Sequence, residues 1–263
     1  MNGPSFWVGF AVLVALTAAG LRYYLPLART VLAQGRGLVR TDWVGRVDAL
    51  LAVVLAAWFL LLGRQAMLAS GGHTLDFQDV LTGAFLYASV VLLLVGVLFY
   101  RNLAPSQIFG FGSAGFGPSC GRALLGLAAA YPLLMLVQAM VYGGTHGTTG
   151  PQEVVEFLRQ AKVPRDRLAV MVMAVVVAPV AEEMIFRGFL YPVAKKYLGS
   201  IAAVAGTSLL FAVLHGHLPS VPALCTLAVC LALCYEKSGS LLVPMIMHAV
   251  FNAVSVAAII YFT

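Results

Sequence analysis

The chain has 263 residues, 61% of them hydrophobic and only 10% charged, with a formal net charge of +6 and a mean hydropathy of +0.95. Soluble domains are about half apolar and about a quarter charged, so this composition excludes a water-soluble globule and reads as a polytopic membrane protein. The four cysteines form no CxxC pair and no histidine-bearing zinc pattern, which excludes a disulfide scaffold and leaves them as small buried hydrophobes.

A helix needs about 17 to 25 predominantly apolar residues to cross the hydrocarbon core. Such runs lie near residues 6–25, 47–62, 80–100, 122–142, 167–194, 200–216, 219–235 and 240–261. The expected fold is therefore all-α, a polytopic membrane helix bundle of about eight transmembrane helices. The first run has no basic residue before it and is followed by Arg22, the pattern of a retained anchor rather than a cleaved signal.

Between the third and fourth runs, "FGFGSAGFGPSCG" at 109–121 reads as a mobile connection with phenylalanines for the interface. Its GxGxxG-like spacing follows no strand, so a nucleotide loop is not indicated. After "YGGTHGTTGP", the segment from Glu153 places Val154, Val155, Phe157, Leu158 and Ala161 on one helical face before Pro164. Two readings stand for it, an interfacial helix lying on the membrane and a solvated packing helix.

Basic residues are uneven. Arg22, Arg29, Arg36, Arg40 and Arg46 fill the first connection, Arg101 and Arg122 flank the third, and Lys195, Lys196 and Lys237 follow on the same side. The opposite side holds Arg64, Arg159, Lys162, Arg165 and Arg167, so the positive-inside rule puts both termini outside. The basic first loop has no interleaved aromatics and directly flanks spans, which points to topology and not to nucleic-acid binding.

Against that background "AEEMIFRGFLYP", 181–192, stands out. Charged groups at membrane depth cost about 2.5 to 3.5 kcal/mol each on insertion scales, so they face the bundle interior and take partners. Neighbouring helix positions point about 100° apart, so Glu182 and Glu183 take different roles. Arg187 lies four residues after Glu183, in the favourable acid-before-base order. Glu183 is then the structural anion and Glu182 the carboxylate left for chemistry, the alternative being one buried ion-pair network. His215, in "FAVLHGH", and Glu182 are equidistant from a turn near 195–200, so antiparallel helices bring them level. His248 and Asn252, four apart in "HAVFN", share a helix face and reach a similar layer. His217 reads as a loop or interface residue.

The ordered set EExxxR (Glu182, Glu183, Arg187), FxxxH (Phe211, His215) and HxxxN (His248, Asn252), within about 165–257, resembles the CPBP family of intramembrane proteases, which includes the Rce1-type CAAX prenyl endopeptidases and the bacterial Abi proteins. The resemblance divides the chain into N-terminal transmembrane helices of unmatched sequence (1–145) and a catalytic helical core (146–263) within one continuous membrane domain. It implies endopeptidase hydrolysis of a membrane-associated or lipidated protein or peptide. Glu182 would be the general base, His215 its partner in activating water, and His248 with Asn252 the oxyanion pair. Glu183 and Arg187 would support them.

The resemblance leans to a metal-free glutamate mechanism without cofactor. The alternative is zinc, for which two histidines and a glutamate are a known ligand set, although HExxH is absent. The expected partners are the lipid bilayer and a membrane-bound or lipidated substrate, with no nucleic acid, and the expected location is the bacterial cell membrane as a multi-pass protein. Two other function classes compete: a noncatalytic scaffold or immunity protein that retains the site, and a transporter using buried carboxylates. No inverted repeat supports the transporter.

Overall fold

In lipid a backbone satisfies its own N–H and C=O groups only as a closed helix or barrel, and the continuous apolar runs of this chain favour the helix. The computed structural model describes residues 4–33, 35, 37–69, 76–113, 115–144, 153–160 and 163–262, and no strand occurs among them. The helices are α1 (Pro4–Ala28), α2 (Arg46–Ala69), α3 (Phe77–Tyr100), α4 (Pro105–Ile108), α5 (Phe116–Gly144), α6 (Glu153–Gln160), α7 (Pro164–Val172), α8 (Ala178–Glu183), α9 (Tyr191–Leu214), α10 (Val221–Ser238) and α11 (Leu242–Phe262). Two π-helical turns, Met173–Val177 and Met184–Leu190, join α7 to α8 and α8 to α9.

Among the described residues seven helical stretches are long and apolar enough to cross a membrane. The longest, Pro164–Leu214, contains both spans expected at 167–194 and 200–216. Gly199 divides it, with φ +81° and ψ 166° outside the helical region, a left-handed conformation that glycine adopts without a Cβ penalty. Arg187 and Phe211, each twelve positions from Gly199, are in contact, with the guanidinium 4.8 Å from the ring centre. The two arms therefore run antiparallel, and the all-α membrane bundle is borne out. The second span is longer than hydropathy suggested, reaching Ala69. Gly63 lies where a Cβ would come within 2.9 Å of the Val213 carbonyl oxygen, so its missing side chain lets α2 lie close on α9.

At the centre, α10 packs against α9, α5, α11 and α1. α1 lies along α5, α2 along α9, and α3 against α8 and both π-helical turns. The N-terminal helices thus cover the C-terminal ones from more than one side. On the outer face of α3, Phe85, Leu92 and Leu93 are exposed, as a lipid-facing surface requires.

One end of the bundle is fastened by buried polar groups. Glu236, wholly buried, accepts from Tyr191 Oη at 2.5 Å and from the Val39 amide at 3.2 Å, and pairs with Lys195 Nζ at 2.6 Å. Lys195 also donates to the Val39 carbonyl, and Lys196 to that of Val44. Nearby, Arg101 forks onto both oxygens of buried Asp48 at 2.6 and 2.7 Å and donates to the Trp43 carbonyl. Several of the basic residues counted for topology are therefore internal fasteners that tie the first connection to α3, α9 and α10.

The glycine-rich stretch differs from expectation. Phe109 is buried, and its carbonyl accepts from the Leu241 amide at 2.8 Å. Residues from Phe116 onward already belong to α5. This connection is anchored because its glycines permit backbone contact: Gly110 has φ +66° and sits directly against the Gly239 carbonyl. Phe116 is exposed, as an interfacial ring would be.

Within α6, Leu158 is buried with Val170 of α7 and Val256 of α11, so this helix packs on the bundle through that residue. Residues 145–152, Ala161 and Lys162 around it, and Arg36 in the first connection, lie outside the described residues. All four cysteines are free thiols, with Cys230 and Cys234 buried.

A Cβ at Gly110 meets both a left-handed backbone and a carbonyl oxygen. Gly110→Ala is expected to destabilise the protein by more than about 1 kcal/mol, read as a lower thermal midpoint in detergent. Gly96→Ala on α3, where nothing lies within 4 Å, should leave the midpoint unchanged.

Candidate active site

The site is assembled from α3, α8 with its following π-helical turn, the end of α9, and α11. Glu182 and Glu183 close α8, and both are buried. Neighbouring positions on a helix diverge, and the two carboxylates do take different partners. Glu183 Oε1 lies 2.8 Å from Arg187 Nη1 and 2.9 Å from His248 Nδ1. Glu182 Oε1 accepts from the Tyr87 hydroxyl at 2.5 Å, while its Oε2 faces His248 Nε2 at 3.9 Å.

His248 therefore stands between the two acids, one ring nitrogen toward each. A carboxylate only accepts, so Nδ1 carries the proton donated to Glu183. The remaining nitrogen, Nε2, is the one presented to Glu182. This is the arrangement in which an acid fixes the tautomer and orientation of an imidazole that works through its other nitrogen.

Arg187 is buried with its charge fully engaged. Nη1 meets Glu183, Nη2 donates to the Ala228 carbonyl at 3.1 Å, and the guanidinium plane lies over the Phe211 ring. The Glu183 carboxylate thus faces a guanidinium and an imidazole N–H together. Removing one member of such a buried set costs about 3 to 5 kcal/mol, because the partner charge is left uncompensated.

Phe211 is the common wall. Its ring centre lies 5.6 Å from that of His248 and 4.8 Å from that of His215. His215 ends α9 in a more open position, with Nδ1 2.8 Å from the Phe211 carbonyl oxygen. That carbonyl only accepts, so Nδ1 is protonated and Nε2 is left as a free acceptor. No hydrogen bond joins His215 to Glu182 among the described residues; the imidazole nearest Glu182 is that of His248. His217, two residues on, pairs with Ser220 Oγ at 2.7 Å in the following turn.

Asn252 lies one turn beyond His248 on α11. Its Nδ2 donates to the Ala174 carbonyl at 2.8 Å. Ala174 belongs to the π-helical turn Met173–Val177, a helical irregularity that alters the regular i to i−4 ladder and is frequent at functional sites. One of the two Asn252 amide protons is thereby committed, and nothing among the described residues accepts the other.

The structure thus gathers Glu182, Glu183, Arg187 and His248 in direct contact, sets His215 against the same ring wall, and attaches Asn252 to the adjoining turn. The residue that sequence reasoning missed is Tyr87. A tyrosine inside an apolar run, here "FLYASVV" of α3, is common enough to carry no signal until the packing of α3 on α8 is known.

Among curated proteins and solved structures nothing matches the chain. Residues 164–254 match the family described as Rce1-like, type II CAAX prenyl endopeptidase Rce1-like, and the matched stretch contains every residue of the three motifs. The resemblance read from those motifs is borne out by this match, which covers the C-terminal segment from 164 to 254.

Proposed function

We propose that the protein is an intramembrane endopeptidase that hydrolyses a peptide bond of a membrane-bound or lipidated protein or peptide. The observation that carries this reading is the facing pair Glu182 Oε2 and His248 Nε2, 3.9 Å apart, with the far side of the imidazole held by Glu183. That distance is too long for a direct hydrogen bond and suits one water oxygen bonded to both.

In this reading Glu182 takes a proton from that water as the hydroxyl oxygen attacks the substrate carbonyl. The carbonyl oxygen becomes an oxyanion. His248 is suited to stabilise it through Nε2 when that nitrogen carries a proton, since Glu183 holds the ring by Nδ1. The uncommitted amide proton of Asn252 is the second donor, and His215 Nε2 offers an acceptor on the open side of Phe211. Collapse of the tetrahedral intermediate breaks the C–N bond, and Glu182 returns its proton to the leaving amine. One water is consumed, giving a carboxylate and an amine. Burial strengthens each of these interactions relative to water.

A metal-free route is part of the proposal. It is supported by the commitment of Glu183, whose Oε1 is shared by Arg187 and His248. Among the described residues no three His, Cys, Asp or Glu side chains converge as a metal-binding group. No step in this reading is routed through zinc. For the substrate, a prenylated CAAX peptide is the first candidate, and the bacterial Abi-like branch, with other membrane peptides, is the second.

Two outcomes are expected from the purified protein in proteoliposomes with a prenylated CAAX peptide, together with the membrane proteome of cells carrying wild-type or variant protein. Glu182→Gln and His248→Ala should each lower cleavage by about a thousandfold or more, and Asn252→Ala by roughly a hundredfold; Glu182→Gln, which keeps an oxygen for Tyr87, keeps the wild-type elution and thermal midpoint in detergent, whereas His248→Ala strips a partner from buried Glu183 and lowers the midpoint. Cleavage that persists in Glu182→Gln, or a cellular phenotype indifferent to it, would make the protein a scaffold; ion flux through liposomes that depends on Glu182 would make it a transporter. Exhaustive dialysis against a chelator should leave the rate within about twofold, since no step uses a Lewis acid. Loss of activity restored specifically by zinc would replace the glutamate mechanism with a metal one.

A further inference from the structure

Tyr87 lies outside the matched segment and outside every motif, yet its hydroxyl is the only hydrogen-bond partner of Glu182 among the described residues. The contact is 2.5 Å long and joins α3 to α8 across 95 positions of sequence. Residues 164–254 alone would leave this carboxylate without that donor.

A glutamate side chain has three rotatable bonds, and the terminal carboxylate rotor is broad. Burial of Glu182 restricts the stem but does not by itself choose which oxygen meets His248. The Tyr87 donor makes that choice. With Oε1 occupied, Oε2 is the oxygen directed to His248 Nε2. A carboxylate accepts from Tyr87, and so does the carbonyl-type oxygen of the neutral acid when the proton is on Oε2. The bond therefore persists through both protonation states of Glu182, and it excludes the incoming proton from Oε1.

We propose that Tyr87 is a positioning residue that assigns separate tasks to the two oxygens of Glu182, anchoring Oε1 so that Oε2 alone exchanges the proton of the hydrolytic water. This rests on the hydrolytic reading above. It makes the unmatched N-terminal half part of the site: α3 supplies the atom that aims the base. Tyr87 touches no reacting atom itself and acts through Glu182.

The test uses the full-length protein in nanodiscs, with the prenylated CAAX peptide as probe. Tyr87→Phe keeps the ring and removes only the hydroxyl. Its kcat should fall roughly tenfold to a hundredfold, the size typical of a group that orients a reacting side chain, with KM within about twofold. Tyr100→Phe, at an exposed position of the same helix, should match wild type. Combining Tyr87→Phe with Glu182→Gln should add no further loss beyond Glu182→Gln, because the tyrosine acts through that carboxylate. An unchanged kcat in Tyr87→Phe, a loss confined to KM, or a further loss in the double variant overturns the proposal.

A readout without turnover separates this proposal from the hydrolytic reading. The infrared band of Glu182, identified by its disappearance in Glu182→Gln, should move in Tyr87→Phe because its hydrogen bonding has changed. If wild-type protein cleaves nothing, the hydrolytic reading fails, and a shifted band still supports Tyr87 as the anchor of Glu182. A band that stays in place overturns the proposal whether or not the protein cleaves.

Discussion

An imidazole with one nitrogen toward each of two adjacent buried acids is the constraint on which this molecule depends. Charges cannot be left bare at membrane depth, so Glu182 and Glu183 have to be answered from other helices. His248 answers both, Arg187 answers one, and Phe211 supplies the wall that fixes the ring and guanidinium planes. For these groups to meet, the chain has to fold back at Gly199 and bring α11 against α8. The course of the C-terminal helices follows from that demand.

The same constraint separates structure from chemistry within one dipeptide. Glu183 is saturated on one oxygen and serves to orient His248. Glu182 has a single donor and a second oxygen open toward the imidazole. Identical side chains one residue apart become different instruments because the helix turns them to different neighbours. The π-helical turns on either side of α8 belong to the same local geometry, since one of them presents the Ala174 carbonyl that fastens Asn252.

Much of the fold was legible because a bilayer makes the reading simple: long apolar runs become helices. The Glu183–Arg187 pair was legible from its four-residue spacing, and the Gly199 fold-back from the short polar break at 195–200. Other features depend on contacts between remote segments, which periodicity does not encode. The wedge of His248 between both glutamates required the depth of α11 relative to α8. Tyr87 required the packing of α3. The glycine-rich stretch misled because glycine allows motion and also allows close approach, and at Gly110 the second use prevails. Hydropathy likewise ended α2 too early, at Gly63 and Arg64, where the missing side chain serves contact with α9.

The Glu236 fastener has a bearing on biosynthesis. Its carboxylate and backbone carbonyl grip the amides of Leu38 and Val39 and the tails of Tyr191 and Lys195. A ribosome delivers residues in order, at about 5 to 20 per second, so both amides leave the tunnel some two hundred positions, hence roughly 10 to 40 seconds, before their acceptor exists. Until then that first connection must rely on water or the insertion machinery for its hydrogen bonds. The bundle is latched by a segment made long after the one it holds.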